Sequence, residues 1–140
     1  MKKIQKNKLS ELQHLLSIKE MNVSLIKDIF IRADKFLTNN QSISKYDVLQ
    51  GKTICNLFFE NSTRTQTTFE IAAKRLSADV INLDIATSSQ SKGESILDLI
   101  NNLIAMGVNI FVVRHSKPGI PAQIARNIKN KAHIINAGDG

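Results

Sequence analysis

Short apolar runs alternate with amphipathic segments along most of the chain, and this alternation constrains the fold more than any other feature. Runs rich in β-branched and aromatic residues predict four strands, over residues 53–59, 78–84, 109–113 and 132–136. Between them, apolar residues recur at helical spacing and predict helices over 62–76, 94–106 and 121–130. Strands joined by helices are typical of βαβ units. We therefore predict an α/β fold with a parallel four-stranded sheet and helices on both faces.

The residues before the first predicted strand carry two more helical patterns. Apolar residues recur every three or four positions from Leu25 to Leu37, which predicts a helix over 22–38 with Asn22 as its N-cap. A shorter helix is predicted over 11–17. The 140 residues suit a single domain with a core of its own.

Composition and motifs exclude several classes of protein. The only cysteine, Cys55, lies in a predicted strand, so a disulfide framework and a Cys-rich zinc site are excluded and a core position is expected. The three histidines stand far from other ligand-type residues, so we predict no metal. Phosphate-loop and dinucleotide motifs are absent, and no cofactor is predicted. The chain shows neither a membrane-length apolar run nor a secretory signal, so a cytoplasmic location is expected.

The formal net charge of +7 leaves three explanations open: nucleic acid, a small anion, or solvated surface lysines. Aromatic residues make up only 5% of the chain and tryptophan is absent, so platforms for base stacking are scarce. A basic nucleic-acid-binding module stays an alternative, and it would require tight binding that weakens steeply with salt.

Basic and hydroxyl residues follow three of the predicted strands. The first strand leads into Ser62-Thr63-Arg64-Thr65 at the start of a helix, the second into a polar loop with Lys92, and the third ends at Arg114. Because parallel strands end at one edge of a sheet, the three cationic side chains are predicted to converge there. A helix N-terminus adds backbone N–H donors, so an anion site is predicted, with phosphate as the candidate. The alternative at the helix start is a plain N-cap without a ligand.

The segment Phe58-Phe59-Glu60-Asn61-Ser62-Thr63-Arg64-Thr65 closely resembles the carbamoyl-phosphate signature of the carbamoyltransferase family. Further matches follow in the order of that family: Phe69-Glu70, Ser88-Ser89-Gln90-Ser91-Lys92-Gly93-Glu94, Val113-Arg114-His115 and Asn136-Ala137-Gly138-Asp139-Gly140. Gln66 stands where many relatives have a second arginine. Lys92 resembles a lysine in the catalytic chains of aspartate carbamoyltransferases. Ornithine carbamoyltransferase or another carbamoyltransferase stays an alternative for the type of enzyme.

The resemblance implies carbamoyl transfer from carbamoyl phosphate to the amino group of L-aspartate, a step of pyrimidine biosynthesis, without cofactor or metal. By this resemblance we expect residues 1–140 to be the N-terminal, carbamoyl-phosphate-binding domain, with the C-terminal aspartate-binding domain absent from this chain. We therefore expect this chain to bind carbamoyl phosphate weakly and not to turn over. The expected partners are the two small substrates, without nucleic acid or membrane.

The resemblance also implies roles for individual residues. The expected phosphate ligands are Ser62, Thr63, Arg64 and Thr65, and the carbonyl oxygen would be polarised by Thr65 and Arg114. Ser88 and Lys92 are expected to reach a neighbouring subunit's site, where Ser88 would contact carbamoyl phosphate and Lys92 would act in catalysis and contact aspartate. The full-length enzyme would then be a homotrimer, with regulatory chains left open. Glu60 is expected to bridge to the second domain and to lack a partner in this chain.

Overall fold

The computed structural model describes residues 12–36, 45–85 and 95–140. Within these ranges lie the strands β1 (Thr53–Phe58), β2 (Asp79–Asp84), β3 (Val108–His115) and β4 (His133–Asp139). The α-helices are α1 (Val23–Asp34), α2 (Thr63–Arg75), α3 (Ile96–Ala105) and α4 (Ile120–Ile128). Two short 3₁₀ turns cover Ile18–Glu20 and Asp47–Leu49. The polar loop over 87–93 and the predicted start of α3 at Glu94 fall outside the described residues.

The four strands form one parallel sheet in the order β2-β1-β3-β4, which confirms the predicted α/β fold. Phe58 at the end of β1 pairs with Asp84 of β2 on one side and with Arg114 of β3 on the other. The carboxyl ends of these strands therefore lie side by side, at the edge where open α/β sheets bind ligands.

Side chains alternate between the two faces of the sheet and build a core on each. On one face Cys55, Leu57 and Phe111 pack with buried residues of α3 and α4. On the other, Ile54 and Phe58 pack with Ala73 of α2. Burial raises the pKa of the Cys55 thiol to about 12, so Cys55 is a neutral core residue, as its position in the sequence predicts.

The predicted helix over 11–17 is wrong for the residues that the structure describes. Residues 12–17 contain no helical turn, and Leu15 forms a parallel bridge to Ile135 of β4. The Leu15 N–H donates to the Ile134 carbonyl at 2.8 Å, and the Asn136 N–H donates to the Leu15 carbonyl at 2.8 Å. β4 ends the sheet on this side, and its free backbone groups stabilise an extended partner better than a seven-residue helix stabilises itself.

The predicted helix over 22–38 is confirmed at its start. Asn22 Oδ1 accepts from the Leu25 N–H at 2.8 Å, so Asn22 is the N-cap. The helix ends at Asp34, and residues 37 and 38 lie outside the described ranges. Helix α1 thus starts after the first 3₁₀ turn, which separates it from the residues that pair with β4.

Two histidines accept hydrogen bonds from the backbone. His14 Nδ1 accepts from the Ile134 N–H at 3.1 Å, and His115 Nδ1 accepts from the Lys117 N–H at 2.8 Å. Burial lowers the pKa of both imidazoles, and the charge of His133 lowers the pKa of His14 further, while a bond to the Lys129 backbone opposes this. Both rings must stay unprotonated at Nδ1 to keep these bonds.

The free energy of unfolding should therefore fall as the pH drops below 6.5, the reference value for an unfolded histidine. Each folded-state pKa lies below that value, so the unfolded chain takes up the proton first and is favoured. We expect His14→Asn, whose amide oxygen can accept the same bond without titrating, to lose less stability between about pH 7.5 and 5.0 than the unmodified chain. Urea unfolding at the two pH values measures this, and an equal loss in both proteins would contradict it.

Candidate anion-binding site at the carboxyl edge of the sheet

The N-terminus of α2 follows β1 after a four-residue connection, residues 59–62. Ser62 occupies the N-cap position with φ −150° and ψ 71°, and its hydroxyl makes no capping hydrogen bond. The first turn contains no acidic residue. The plain N-cap interpretation is therefore not supported, and the first-turn N–H groups keep their capacity to bind an anion.

Arg64 places a positive charge in the first turn of α2, where the helix dipole disfavours a cation. Its side chain is exposed, and no ion pair to it occurs within the described residues. Thr63 is exposed, while Ser62 and Thr65 are half-buried. Hydroxyl, guanidinium and backbone donors thus share one short segment, and an anion bound there would offset both the dipole and the arginine charge.

Arg114 extends from β3 at the same edge and contacts both neighbouring strand ends. Its Nε lies 2.7 Å from Oε1 of Glu60, and its Nη1 donates to the Ala137 carbonyl at 3.0 Å. The Nε–H is not aligned on an acceptor among the described residues, so the contact with Glu60 is an ion pair without a hydrogen bond. The expectation that Glu60 lacks a partner in this chain is wrong, because the strand register places Glu60 beside Arg114.

Gly138 allows Arg114 to lie against β4. Its φ is +129°, and a Cβ at this position would lie 2.5 Å from Arg114 Nη1 and 3.2 Å from Cζ. Gly138 belongs to the closing segment that resembles the family, but its role beside Arg114 is not predicted from the sequence, since the predicted fourth strand stops at residue 136. The only signal in the sequence is the pair of glycines after Asn136, and the close approach itself depends on a residue 24 positions away along the chain.

A network of side chains fixes the end of β4. Asn136 Nδ2 donates to Asp139 Oδ1 at 2.7 Å, and Asn136 Oδ1 accepts from the Gly138 N–H at 2.9 Å. Asp139 Oδ2 accepts from the Gly119 N–H at 2.7 Å, at the start of α4. The bonds from Asn136 and Gly119 lower the pKa of Asp139, which keeps its charge. The carbonyl of Ala137 is thereby held in place for Arg114.

His115 joins the ends of β1 and β3. Its ring lies 4.9 Å from that of Phe59, and the Phe59 N–H donates to the Arg114 carbonyl at 2.9 Å. Nδ1 of His115 is an acceptor, so the neutral ring carries its proton on Nε2. These contacts continue the pairing of β1 and β3 beyond the sheet and fix the backbone on both sides of Glu60 and Arg114.

Six of the residues singled out from the sequence therefore follow or end adjacent strands at one edge: Glu60, Ser62, Thr63, Arg64, Thr65 and Arg114. Ser88 and Lys92 lie outside the described residues. Within the described ranges, no three His, Cys, Asp or Glu side chains form a group that could hold a metal ion. No helix in those ranges is long and apolar enough to span a bilayer.

Comparison with solved structures places this fold among carbamoyltransferases. The catalytic subunit of M. jannaschii aspartate transcarbamoylase is 36% identical over 92% of this chain, with a TM-score of 0.79. Aspartate transcarbamoylase from Trypanosoma cruzi, in complex with aspartate and phosphate, is 28% identical over 91% of this chain, with a TM-score of 0.80. Ornithine carbamoyltransferase from Thermus thermophilus shares the fold at 23% identity over 91%, with a TM-score of 0.78. This chain spans 42%, 40% and 42% of those three chains, respectively.

The sequence profile of one protein family matches most of the chain. Residues 13–140 match the family described as "Aspartate/ornithine carbamoyltransferase, carbamoyl-P binding domain". The matched range includes all four strands and all four α-helices described above. The chain belongs to the aspartate/ornithine carbamoyltransferase family and corresponds to its carbamoyl-phosphate-binding domain.

Proposed function

We propose that this chain binds carbamoyl phosphate and forms one half of an active site that transfers the carbamoyl group to the amino group of L-aspartate. The observation that carries the proposal is that the uncapped N-terminus of α2 follows β1 at the same edge of the sheet where Arg114 lies near the end of the adjacent strand β3. Two arginines and a helix dipole at one edge suit a phosphorylated substrate.

Two observations support aspartate over ornithine as the acceptor. The aspartate transcarbamoylase of M. jannaschii is 36% identical to this chain, whereas the ornithine enzyme of Thermus thermophilus is 23% identical. The chain also carries Lys92 in a Lys-Gly-Glu sequence that resembles the aspartate enzymes. The acceptor itself would bind mainly to the remainder of the protein, which in the matched structures lies beyond this domain.

The proposed reaction needs positioning and charge stabilisation. The amino nitrogen attacks the carbonyl carbon, and the π electrons move onto the carbonyl oxygen, near Thr65 and Arg114. When the carbonyl re-forms, the bond to the phosphate oxygen breaks and phosphate leaves with the electron pair, while the nitrogen loses a proton. Arg64 and the α2 N–H groups would stabilise the charge on the departing phosphate.

The remaining parts of the proposal concern the whole protein. Ser88 and Lys92 would reach the site of a neighbouring subunit in a cytoplasmic homotrimer, so each site would be completed by two chains. Glu60, which pairs with Arg114 in this chain, would bridge to an aspartate-binding domain in the full-length enzyme. The isolated chain would therefore bind carbamoyl phosphate without turning it over.

Arg64→Ala should weaken the binding of carbamoyl phosphate by about tenfold to a hundredfold, the usual effect of losing a charged hydrogen bond. Arg75→Ala is the matched control, because it removes an arginine from the last turn of the same helix. Isothermal titration of the three proteins measures the dissociation constants. Equal affinities for the unmodified chain and Arg64→Ala would exclude the assigned site.

Glu60→Gln should raise the affinity of the isolated chain for inorganic phosphate by up to about fivefold, since it removes a half-exposed negative charge from Arg114. The Arg114 guanidinium would still be held by the Ala137 carbonyl. Titration with phosphate at two salt concentrations measures the change. An unchanged or reduced affinity would show that Glu60 does not oppose anion binding.

Gly138→Ala should destabilise the chain and weaken phosphate binding, because the new methyl group collides with the Arg114 guanidinium. Gly107→Ala is the matched control: Gly107 has φ +100°, but no atom lies within 4 Å of its Cβ position. Both variants bear backbone strain of about 1–3 kcal/mol. Only Gly138→Ala should change the dissociation constant for phosphate, and equal constants for the two variants would contradict the role of Arg114.

A further inference from the structure

Helix α2 has few apolar side chains with which to hold its position on the sheet. Of its residues only Ala73 is buried, Phe69 is half-buried, and Ile71 is 45% exposed. Burial of apolar surface is not directional, and an alanine-rich contact opposes sliding weakly. Apolar packing, which here rests on Phe69 and Ala73, is therefore a weak constraint on where the helix lies along its own axis.

A chain of polar side chains connects α2 to the two strands beneath it. Asn56, fully buried in the middle of β1, donates from Nδ2 to Oδ1 of Asn82 at 2.8 Å. Asn82, its register partner on β2, donates from Nδ2 to Oε2 of Glu70 on α2 at 2.9 Å. The other carboxylate oxygen of Glu70 pairs with Lys74 at 2.6 Å. The bonds from Lys74 and Asn82 lower the pKa of Glu70, so it stays a pure acceptor.

The carboxylate of Glu70 determines which atoms donate and which accept in this series of hydrogen bonds. Because an ionised carboxylate accepts only, Asn82 must present its Nδ2 to Glu70 and its Oδ1 to Asn56. Asn56 then donates from Nδ2, and its Oδ1 is left buried without a hydrogen-bond partner among the described residues. A buried acceptor without a partner destabilises a fold. The three hydrogen-bonded side chains therefore keep an orientation that lowers the stability of β1, which suggests that the orientation serves another purpose.

We propose that Glu70 and Asn82 are positioning residues that hold α2 at a fixed place along the sheet and thereby set the position of Ser62–Thr65 relative to Arg114. Hydrogen bonds depend steeply on distance and direction, so a helix tied to β1 and β2 cannot slide without breaking them. The same strand, β1, leads into Glu60, which contacts Arg114. The expected effect on carbamoyl phosphate binding rests on the proposed function.

The test compares two variants that break the hydrogen bond between Glu70 and Asn82 with two variants that keep it. Glu70→Ala and Asn82→Ala break the bond between α2 and β2. Lys74→Ala removes the ion pair but keeps that bond, and Glu70→Gln keeps an acceptor for Asn82. Three quantities are measured for each: the dissociation constant for carbamoyl phosphate by titration, the backbone amide shifts of residues 63–66 without ligand, and the midpoint of thermal unfolding.

We expect Glu70→Ala and Asn82→Ala to bind carbamoyl phosphate about tenfold more weakly and to shift the amide resonances of residues 63–66. Lys74→Ala and Glu70→Gln should bind like the unmodified chain. Should Glu70→Ala fail to fold, Asn82→Ala decides, because Asn82 is exposed on the edge strand β2.

Unchanged affinity in both disruptive variants, with binding intact in the unmodified chain, would overturn the inference and leave the proposed function standing. No binding by the unmodified chain would overturn the proposed function, and the amide shifts then decide the positioning role alone. Shifts confined to the neighbours of residues 70 and 82 would overturn that role, whereas shifts at residues 63–66 would support it.

Discussion

The guanidinium of Arg114 is the point where the ends of three adjacent strands meet. Arg114 belongs to β3, its Nε contacts Glu60 beyond β1, and its Nη1 binds the Ala137 carbonyl of β4. This meeting requires the strand order β2-β1-β3-β4, which places β3 between the other two. It also requires Gly138, because any side chain there would occupy the space of the guanidinium. The candidate site thus depends on sheet topology more than on any single motif.

Holding an arginine in this way has opposite effects on anion binding. A side chain already fixed in place loses little conformational freedom when a ligand arrives, which favours affinity. The carboxylate of Glu60 meanwhile cancels part of the positive charge that the ligand would meet. At the N-terminus of α2, Arg64 is exposed and α2 has no acidic residue in its first turn, so no neighbouring carboxylate of that turn cancels its charge. In the proposed site the two arginines would therefore contribute in different ways, Arg114 through its fixed position and Arg64 through its exposed charge.

Local patterns predicted the parts of the structure that depend on local sequence. The alternation of strands and helices was sufficient for the parallel sheet, and the strand ends were sufficient to place Arg114 at the same edge of the sheet as the segment that leads into α2. The pairing of His14 and Leu15 with β4 was missed because it depends on the free edge of that strand, about 120 residues away. The Glu60–Arg114 pair and the role of Gly138 were missed for a similar reason, since both arise from strand register and close backbone approach. The positions of Ser88 and Lys92 stay predictions.

The composition of α2 links the chemistry of the site to the stability of the fold. A helix that begins with Thr63-Arg64-Thr65-Gln66-Thr67-Thr68 presents many polar groups and has little room for apolar anchors. Of the residues of α2, Ala73 alone is buried, and Phe69 packs half-buried against the same core. The bonds from Asn56 through Asn82 to Glu70 add directional contacts to this limited apolar packing. Because they leave Asn56 Oδ1 without a partner, an apolar residue at position 56 would remove a buried unpaired acceptor from β1, but it would also take away the donor that orients the Asn82 amide toward Glu70.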